Sequence, residues 1–424
     1  MSRLNGLASI ICRLVVTVAV GAGSTSVLSQ PAPIDVTLGW LTNSGGSSAI
    51  MQVMVDNKLF ESRAATLGTP VKPKYLNFQT GPAMNEAVAA GQIDIDAVFS
   101  ALVLARRIAA GVQSTPIAVV GSHLSNALLV RPGSPIKTVE DLPGKTVGLP
   151  LGSSAQYLLN SILAYHFGKT DKELGIKLVN MSPGDTVNLA KGVDASVIWM
   201  PLRFIGPSEG VAELLIDTDG NTGKAYKTPG VKPEQVKKSW AYPEGYNTDR
   251  LYAAARTAFL EKHPNVVLAF LLAFRDAQQM VLKDIPGTKN KINQIWKLSQ
   301  SVVDQTFDAG AETSGIRNEP AVLEWDVLTI VKASEFLTYI KAQDESLTFE
   351  KLRPIFMKTA DLQRRAWEMS EPKISVETME KGFSGTGKTY GSYTINGGKP
   401  IWEWEKDRSW GQRLYKPGPF GTSK

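Results

Sequence analysis

Apolar runs and small-residue turns alternate along this chain in an order that occurs twice, roughly a hundred residues apart. In the first copy Val36–Trp40 reads as a strand, Ser44–Ser48 as a Gly/Ser turn, and the apolar stretch from Ala49 as a helix. A strand at Tyr75–Phe78, a polar turn, a helix and the segment Gly91–Ser100 follow. In the second copy Thr146–Leu149 is the strand, Gly152–Ser154 the turn, and a helix starts at Ala155. A strand at Lys177–Asn180, the turn Ser182–Asp185, a helix and the segment Gly192–Trp199 complete it. Short apolar strands alternating with helices predict an α/β fold. Two such units predict two lobes, each a mixed sheet with helices on both faces, around one cleft.

The first unit spans 34–126, and the chain is expected to cross to the second lobe just before the apolar strand Ala127–Val130. The second lobe is expected over 127–256, with Leu251–Ala255 as its returning strand, and 257–370 is expected to complete the first lobe. Glu261–Leu282 carries apolar residues at helical spacing (Val266, Val267, Phe270, Leu271, Phe274), and Pro264 suits its first turn. Ala321–Lys341 and Lys351–Trp367 also read as helices, which makes a mostly helical C-terminal extension. The tail 371–424, with Trp402, Trp404 and Trp410, is expected to wrap onto the body.

Composition narrows the class. The 424 residues exceed one compact domain, and 43% hydrophobic with 20% charged residues is an ordinary globular balance. The net charge of +6 is mild and no Lys/Arg cluster with interleaved aromatics appears, so nucleic-acid binding is not expected. Arg3, Arg13 and the short apolar core Leu14–Ala22 read as a secretory leader over 1–29, and no later segment looks long and apolar enough to span a membrane. The single cysteine, Cys12, lies in that leader, so the exported protein would hold no disulfide and no thiol nucleophile; a periplasmic monomer is expected.

Enzyme signatures are sparse. The three histidines (His123, His166, His263) lack metal-ligand spacing, no Gly-x-Ser-x-Gly elbow occurs, and no metal or cofactor is expected. Gly382–Thr389 fits the phosphate-loop pattern letter for letter, but no clean apolar strand precedes it and no helical pattern follows, so it is not read as a nucleotide site. The candidate chemistry is recognition. Ser44 and its neighbours Thr42 and Asn43, and Ser153, Ser154 and Gln156, stand at helix starts, where free N–H groups favour an anion. Ordinary capping by serine is the other reading of these turns. Trp40 and Trp199 end strands in opposite units and could sandwich an apolar ligand body, or pack beneath their own lobes. Gln79, Thr80, Ser100, His123 and Asp185 stand at the same edge of the fold, Asp185 as a ligand contact or a helix cap. Asp94 and Asp194 match between the copies and read as structural, holding a helix-to-strand turn.

Five elements in order carry a resemblance: Asp56–Phe60, Gly91–Asp94, Glu140–Gly148 with Gly152–Ser154, Val193–Pro201 and Phe259–Pro264. Together they resemble the periplasmic solute-binding proteins of nitrate, sulfonate and taurine ABC importers, over residues 34–285 or so. Met200 stands where that family often has an acid, which removes a carboxylate suited to a cationic ligand. The resemblance implies a type II periplasmic binding fold. It also implies capture of a small, anionic solute between the lobes and delivery to a membrane permease. The alternative is an exported enzyme on the same scaffold acting on a pyrimidine-like or phosphate-bearing substrate, for which only His123 would be placed to act.

Overall fold

The computed structural model describes residues 31–121, 124–222, 245–247, 249–308, 321–370, 399–415, 418 and 420. The expected leader, His123, the phosphate-loop match and most of the tail lie outside these. Among these described residues, ten strands form two five-stranded sheets. The first holds β1 (Ile34–Leu41), β2 (Val71–Phe78), β3 (Ile95–Ser100), β4 (Ser114–Gly121) and β10 (Leu251–Arg256), in the order β2-β1-β3-β10-β4. The second holds β5 (Asn126–Val130), β6 (Thr146–Leu149), β7 (Lys177–Asn180), β8 (Ala195–Trp199) and β9 (Glu213–Asp217), in the order β7-β6-β8-β5-β9. In each sheet one strand, β10 or β5, runs antiparallel to its neighbours and the others pair in parallel.

The chain crosses between sheets from β4 to β5, where the sequence places it. The second boundary differs. Leu251–Arg256, expected to close the second lobe, lies in the first sheet between β3 and β4. Its alanines are buried on both faces, as a central strand requires. Edge strand β2 mixes half-buried and exposed positions, with none fully buried, and carries Pro73, which only an edge tolerates. The opposite edge, β4, is buried throughout. The C-terminal region covers it: Thr359 donates its hydroxyl to the Pro116 carbonyl (3.0 Å), beside the helix Phe349–Phe356. This answers the need to hide an exposed edge and gives the extension one clear role.

Helices α1 (Gly45–Asp56), α2 (Leu59–Thr66), α3 (Gly81–Ala89) and α4 (Ala101–Ala109) belong to the first lobe; α5 (Ser154–Phe167), α6 (Pro183–Val187) and α7 (Ile205–Glu209) to the second. The expected helix Glu261–Leu282 divides at His263 into α8 (Thr257–Lys262) and α9 (Pro264–Lys283), with Pro264 opening the second piece. By length and hydropathy α9 could cross a membrane, contrary to the sequence expectation. Its apolar residues are spent in the core against α1 and α2 instead. The two aspartates play one role in two copies: Asp94 accepts from the Thr37 N–H (2.9 Å) and Asp194 from the Thr146 N–H (2.8 Å). Each ties the turn entering a strand to the neighbouring strand, and Arg256 of β10 also pairs with Asp94.

The second crossover is fixed at both ends. Tyr246 donates its N–H to Thr218 O (2.8 Å) and its ring hydroxyl meets His166 Nε2 on α5 (2.8 Å). Asp249 accepts from the Ala101 N–H at the start of α4 (2.8 Å). Burial pushes the His166 pKa down, and the nearby Glu140 carboxylate at 3.1 Å only partly restores it. A histidine with a depressed folded pKa stabilises the fold above its unfolded pKa, and this contribution is lost as pH falls through about 6.5 toward the folded value. Wild-type protein should therefore lose more thermal stability between pH 7 and pH 5 than His166→Gln does. Parallel melting curves for the two would contradict the assignment.

Beyond α9, helices α10 (Ile285–Trp296) and α11 (Gln300–Asp308) reach across the molecule. Lys291 of α10 pairs with Asp56 of α1 (2.9 Å) in the first lobe. On α11, Val302 packs with Met200 and Phe204, and Gln305 donates to Ser208 Oγ (3.1 Å), all in the second lobe. Helices α12 (Glu324–Tyr339), α13 (Phe349–Phe356) and α14 (Ala360–Met369) follow. The reading of Lys351–Trp367 as one helix is corrected: a 3-10 turn at Met357–Thr359 separates α13 from α14. Segment 399–415 packs on α12, where Glu324 accepts from the N–H groups of Lys399 and Gly411 (3.0 Å each) and Trp404 stacks on the buried Trp410. Phe420 lies against Phe336 and Tyr339 of α12 and against Tyr157 of α5.

Candidate functional site

Helices α1 and α3 start at the C-terminal ends of β1 and β2, and α5 at that of β6, the edge where open α/β sheets bind ligands. Contacts between these ends bring the two lobes together. Trp199, the last residue of β8, donates its indole N–H to the Asn43 carbonyl in the turn before α1 (3.0 Å). Gly152, in the turn before α5, lies against Arg106 of α4 and Pro82 at the start of α3. A Cβ placed on it would be 3.0 Å from Arg106 Nη1 and 3.3 Å from Pro82 Cγ. Gly152 has φ +76°, so glycine both allows this turn and leaves room for the guanidinium.

The predicted residues fall into two neighbouring groups. Asn43 Nδ2 donates to Gln79 Oε1 (3.0 Å) and Gln79 Nε2 to Thr42 Oγ1 (3.3 Å), so Thr42, Asn43 and Gln79 form one amide network facing Trp199. Thr80 follows Gln79 and caps α3 without a side-chain bond, which leaves the N–H groups at that helix start unclaimed by it. The second group is Ser153, Ser154 and Gln156 on α5, with Gln156 Oε1 accepting the Gly152 N–H (2.8 Å).

The serine hydroxyls do not face the cleft as free donors. Ser44 is buried, and its N–H is held by Ser48 Oγ, whose own hydroxyl goes to Leu41 O. Ser47 donates to Val120 O, Ser153 to Pro150 O (2.6 Å) and Ser154 to Asn126 Oδ1 (3.1 Å). These hydroxyls build the turns, and several of the turns' own N–H groups are engaged as well: Ser44 by Ser48, Gly152 by Gln156, and Ala155, Gln156 and Tyr157 by Ser153. Trp40 and Trp199 are enclosed, at 2% and 3% exposure, and belong to the apolar core. Ser100 caps α4 by accepting from the Val103 N–H, and Asp249 occupies the same helix start. Asp185 is exposed and accepts the Ser182 hydroxyl (2.7 Å), while Ser182 caps α6. Its carboxylate thus serves its own helix start.

Arg106 is the residue that sequence reasoning missed. It is half-buried, and among the described residues no carboxylate lies within ion-pair distance of it and its Nε has no hydrogen-bond partner. Burial pushes its pKa down, though an arginine stays charged at neutral pH. Its neighbour Arg107 differs completely: it is buried and bound to Asp96 (2.7 and 3.0 Å), Asn85 and Ser114. A cavity of about 760 Å³ lies elsewhere, between β9 and α7, where Arg203 is taken up by Asp217 and Ser125. No group of His, Cys, Asp or Glu suited to a metal ion occurs among the described residues.

Residues 76–285 match the family described as NMT1/THI5 like. Over 240 residues, 56% of this chain, the sequence is 25% identical to a Bacillus subtilis (strain 168) protein assigned to aliphatic sulfonate binding, and the match takes in 64% of that protein's length. The taurine-binding periplasmic protein of Escherichia coli (strain K12) is 25% identical over 313 residues, 73% of this chain and 80% of its own. The crystal structure of the periplasmic nitrate-binding protein NrtA from Synechocystis PCC 6803 superposes with a TM-score of 0.58. It shares 13% identity and covers 80% of this chain and 90% of its own, a likeness of fold. The two-sheet architecture, the ordered sequence elements and these relatives agree: over residues 76–285 the chain is similar to the NMT1/THI5-like family, and its fold is that of the periplasmic binding proteins it superposes on.

Proposed function

We propose that this protein is the solute-binding component of an ABC importer, holding a small organic anion between its lobes and passing it to a membrane permease. The observation that carries this reading is the meeting of helix starts from both lobes at one place, α3 from the first and α5 from the second, with Arg106 between them. Helix starts and an uncompensated guanidinium set a positive potential. The carboxylate nearest in sequence logic, Asp185, is occupied by its own cap. The relatives named for sulfonate and taurine binding make a sulfonate head on a short apolar body the first ligand to try. The protein is then periplasmic, and it binds its solute without transforming it. Two lobes joined by two crossovers interconvert between open and closed forms, and a ligand touching both stabilises the closed one.

Calorimetry with ethanesulfonate, taurine, nitrate, acetate and the polyamine putrescine tests the assignment. Saturable binding of at least one anion, with none of putrescine, is the expected result. Tight binding of putrescine alone would reverse the sign of the ligand and end the reading.

A further inference from the structure

Arg106 and Arg107 are consecutive in α4, yet their fates diverge. Arg107 sits under the sheet and is fully engaged, whereas Arg106 points to the interlobe contact and is engaged by nothing charged among the described residues. A cation half withdrawn from water without a counter-charge is costly, and an enclosed N–H without an acceptor adds to that cost. Nothing in the packing explains why an arginine should be kept there. A methionine or glutamine would fill the space between Pro82 and Gly152 without the charge.

The surroundings suggest what restores the balance. The guanidinium lies beside Pro82 in the first turn of α3 and Gly152 in the turn before α5. The Gly152, Ala155, Gln156 and Tyr157 N–H groups are already bonded and Pro82 has none, so the guanidinium is the strongest donor that this junction holds for an oxyanion. Its planar fork matches two oxygens of one oxyanion, a geometry that a halide or an amine cannot use. We propose that Arg106 is the residue that recognises the solute's charge, gripping two oxygens of a sulfonate, carboxylate or phosphate head against the starts of α3 and α5. This rests on the anion-binding reading above and names the group within it that selects the ligand. Because Arg106 belongs to the first lobe and Gly152 to the second, the grip forms fully only when the lobes are together. The same contact therefore sets both selectivity and closure.

The test compares wild type, Arg106→Gln and Arg106→Lys by calorimetry with ethanesulfonate, acetate and inorganic phosphate, and with dimethyl sulfone as an uncharged probe. For the anion that wild type binds best, Arg106→Gln should lower affinity at least tenfold. Arg106→Lys, which keeps the charge and loses the fork, should recover part of that loss. Dimethyl sulfone, if it binds, should be indifferent to all three. Melting temperatures should stay the same or rise in Arg106→Gln, since an unpaired charge has been removed. If wild type binds an anion and Arg106→Gln binds it within twofold, the role given to Arg106 is wrong while the anion-binding reading stands. If wild type binds none of these three anions and neither taurine nor nitrate, both fall.

Discussion

Arg107→Ala should destabilise the protein by about 3–5 kcal/mol, because it strands a buried carboxylate. Arg107 and Asp96 are both almost wholly inside, at 2% and 1% exposure, and their ion pair is 2.7 Å long. Burial already pushes the Asp96 pKa up, with Arg107 the main force opposing it. Without Arg107, the Asn85 amide and the Ser114 hydroxyl also lose a partner. Equilibrium unfolding in urea reads the cost directly. The double variant Asp96→Asn, Arg107→Met should regain much of it, since removing both charges removes the desolvation problem as well as its remedy. A loss under 1 kcal/mol in the single variant would mean that water reaches the pair.

The second large effect concerns Trp199 and separates packing from recognition. Trp199→Ala empties a core site and should cost about 3–5 kcal/mol of stability. Trp199→Phe keeps most of the ring and removes only the indole N–H that reaches Asn43 O in the other lobe. Much of the packing survives in this variant, but the closed form loses one hydrogen bond, so solute affinity should fall by about 0.5–1.5 kcal/mol. Equal affinity in Trp199→Phe and wild type would show that this bond is made in the open form too.

Much of the fold was legible because its signals are local. Both helix-start turns are dictated by glycine and serine beside an apolar run, and the matched aspartates Asp94 and Asp194 reveal the repeat even at the level of one hydrogen bond each. What was not legible depends on partners far along the chain. Leu251–Arg256 reads as a strand in any window, but nothing within it says that its neighbours are β3 and β4. Sequence cannot tell which way a serine hydroxyl turns, so ligand contact and capping both stayed open at these turns; here the hydroxyls turn to backbone carbonyls and to Asn126. Arg106 and Arg107 look alike in sequence. One residue step rotates a helical side chain by about 100°, which sends one beneath the sheet and the other to the junction of the lobes.

The position of β10 also fixes an order of assembly. A chain that emerges N-terminus first has all five strands of the second sheet once Asp217 is available, because β5 to β9 are contiguous in sequence. The first sheet, although its first four strands appear earlier, has a gap between β3 and β4 until Arg256 arrives. Its outer edge then stays bare until Thr359 reaches Pro116. The lobe that begins later is thus completed earlier, and the lobe that begins the chain waits with open strand edges for more than a hundred further residues. That interval, from Gly121 to Arg256, is when the nascent protein is most exposed to wrong pairing and most in need of a holding partner.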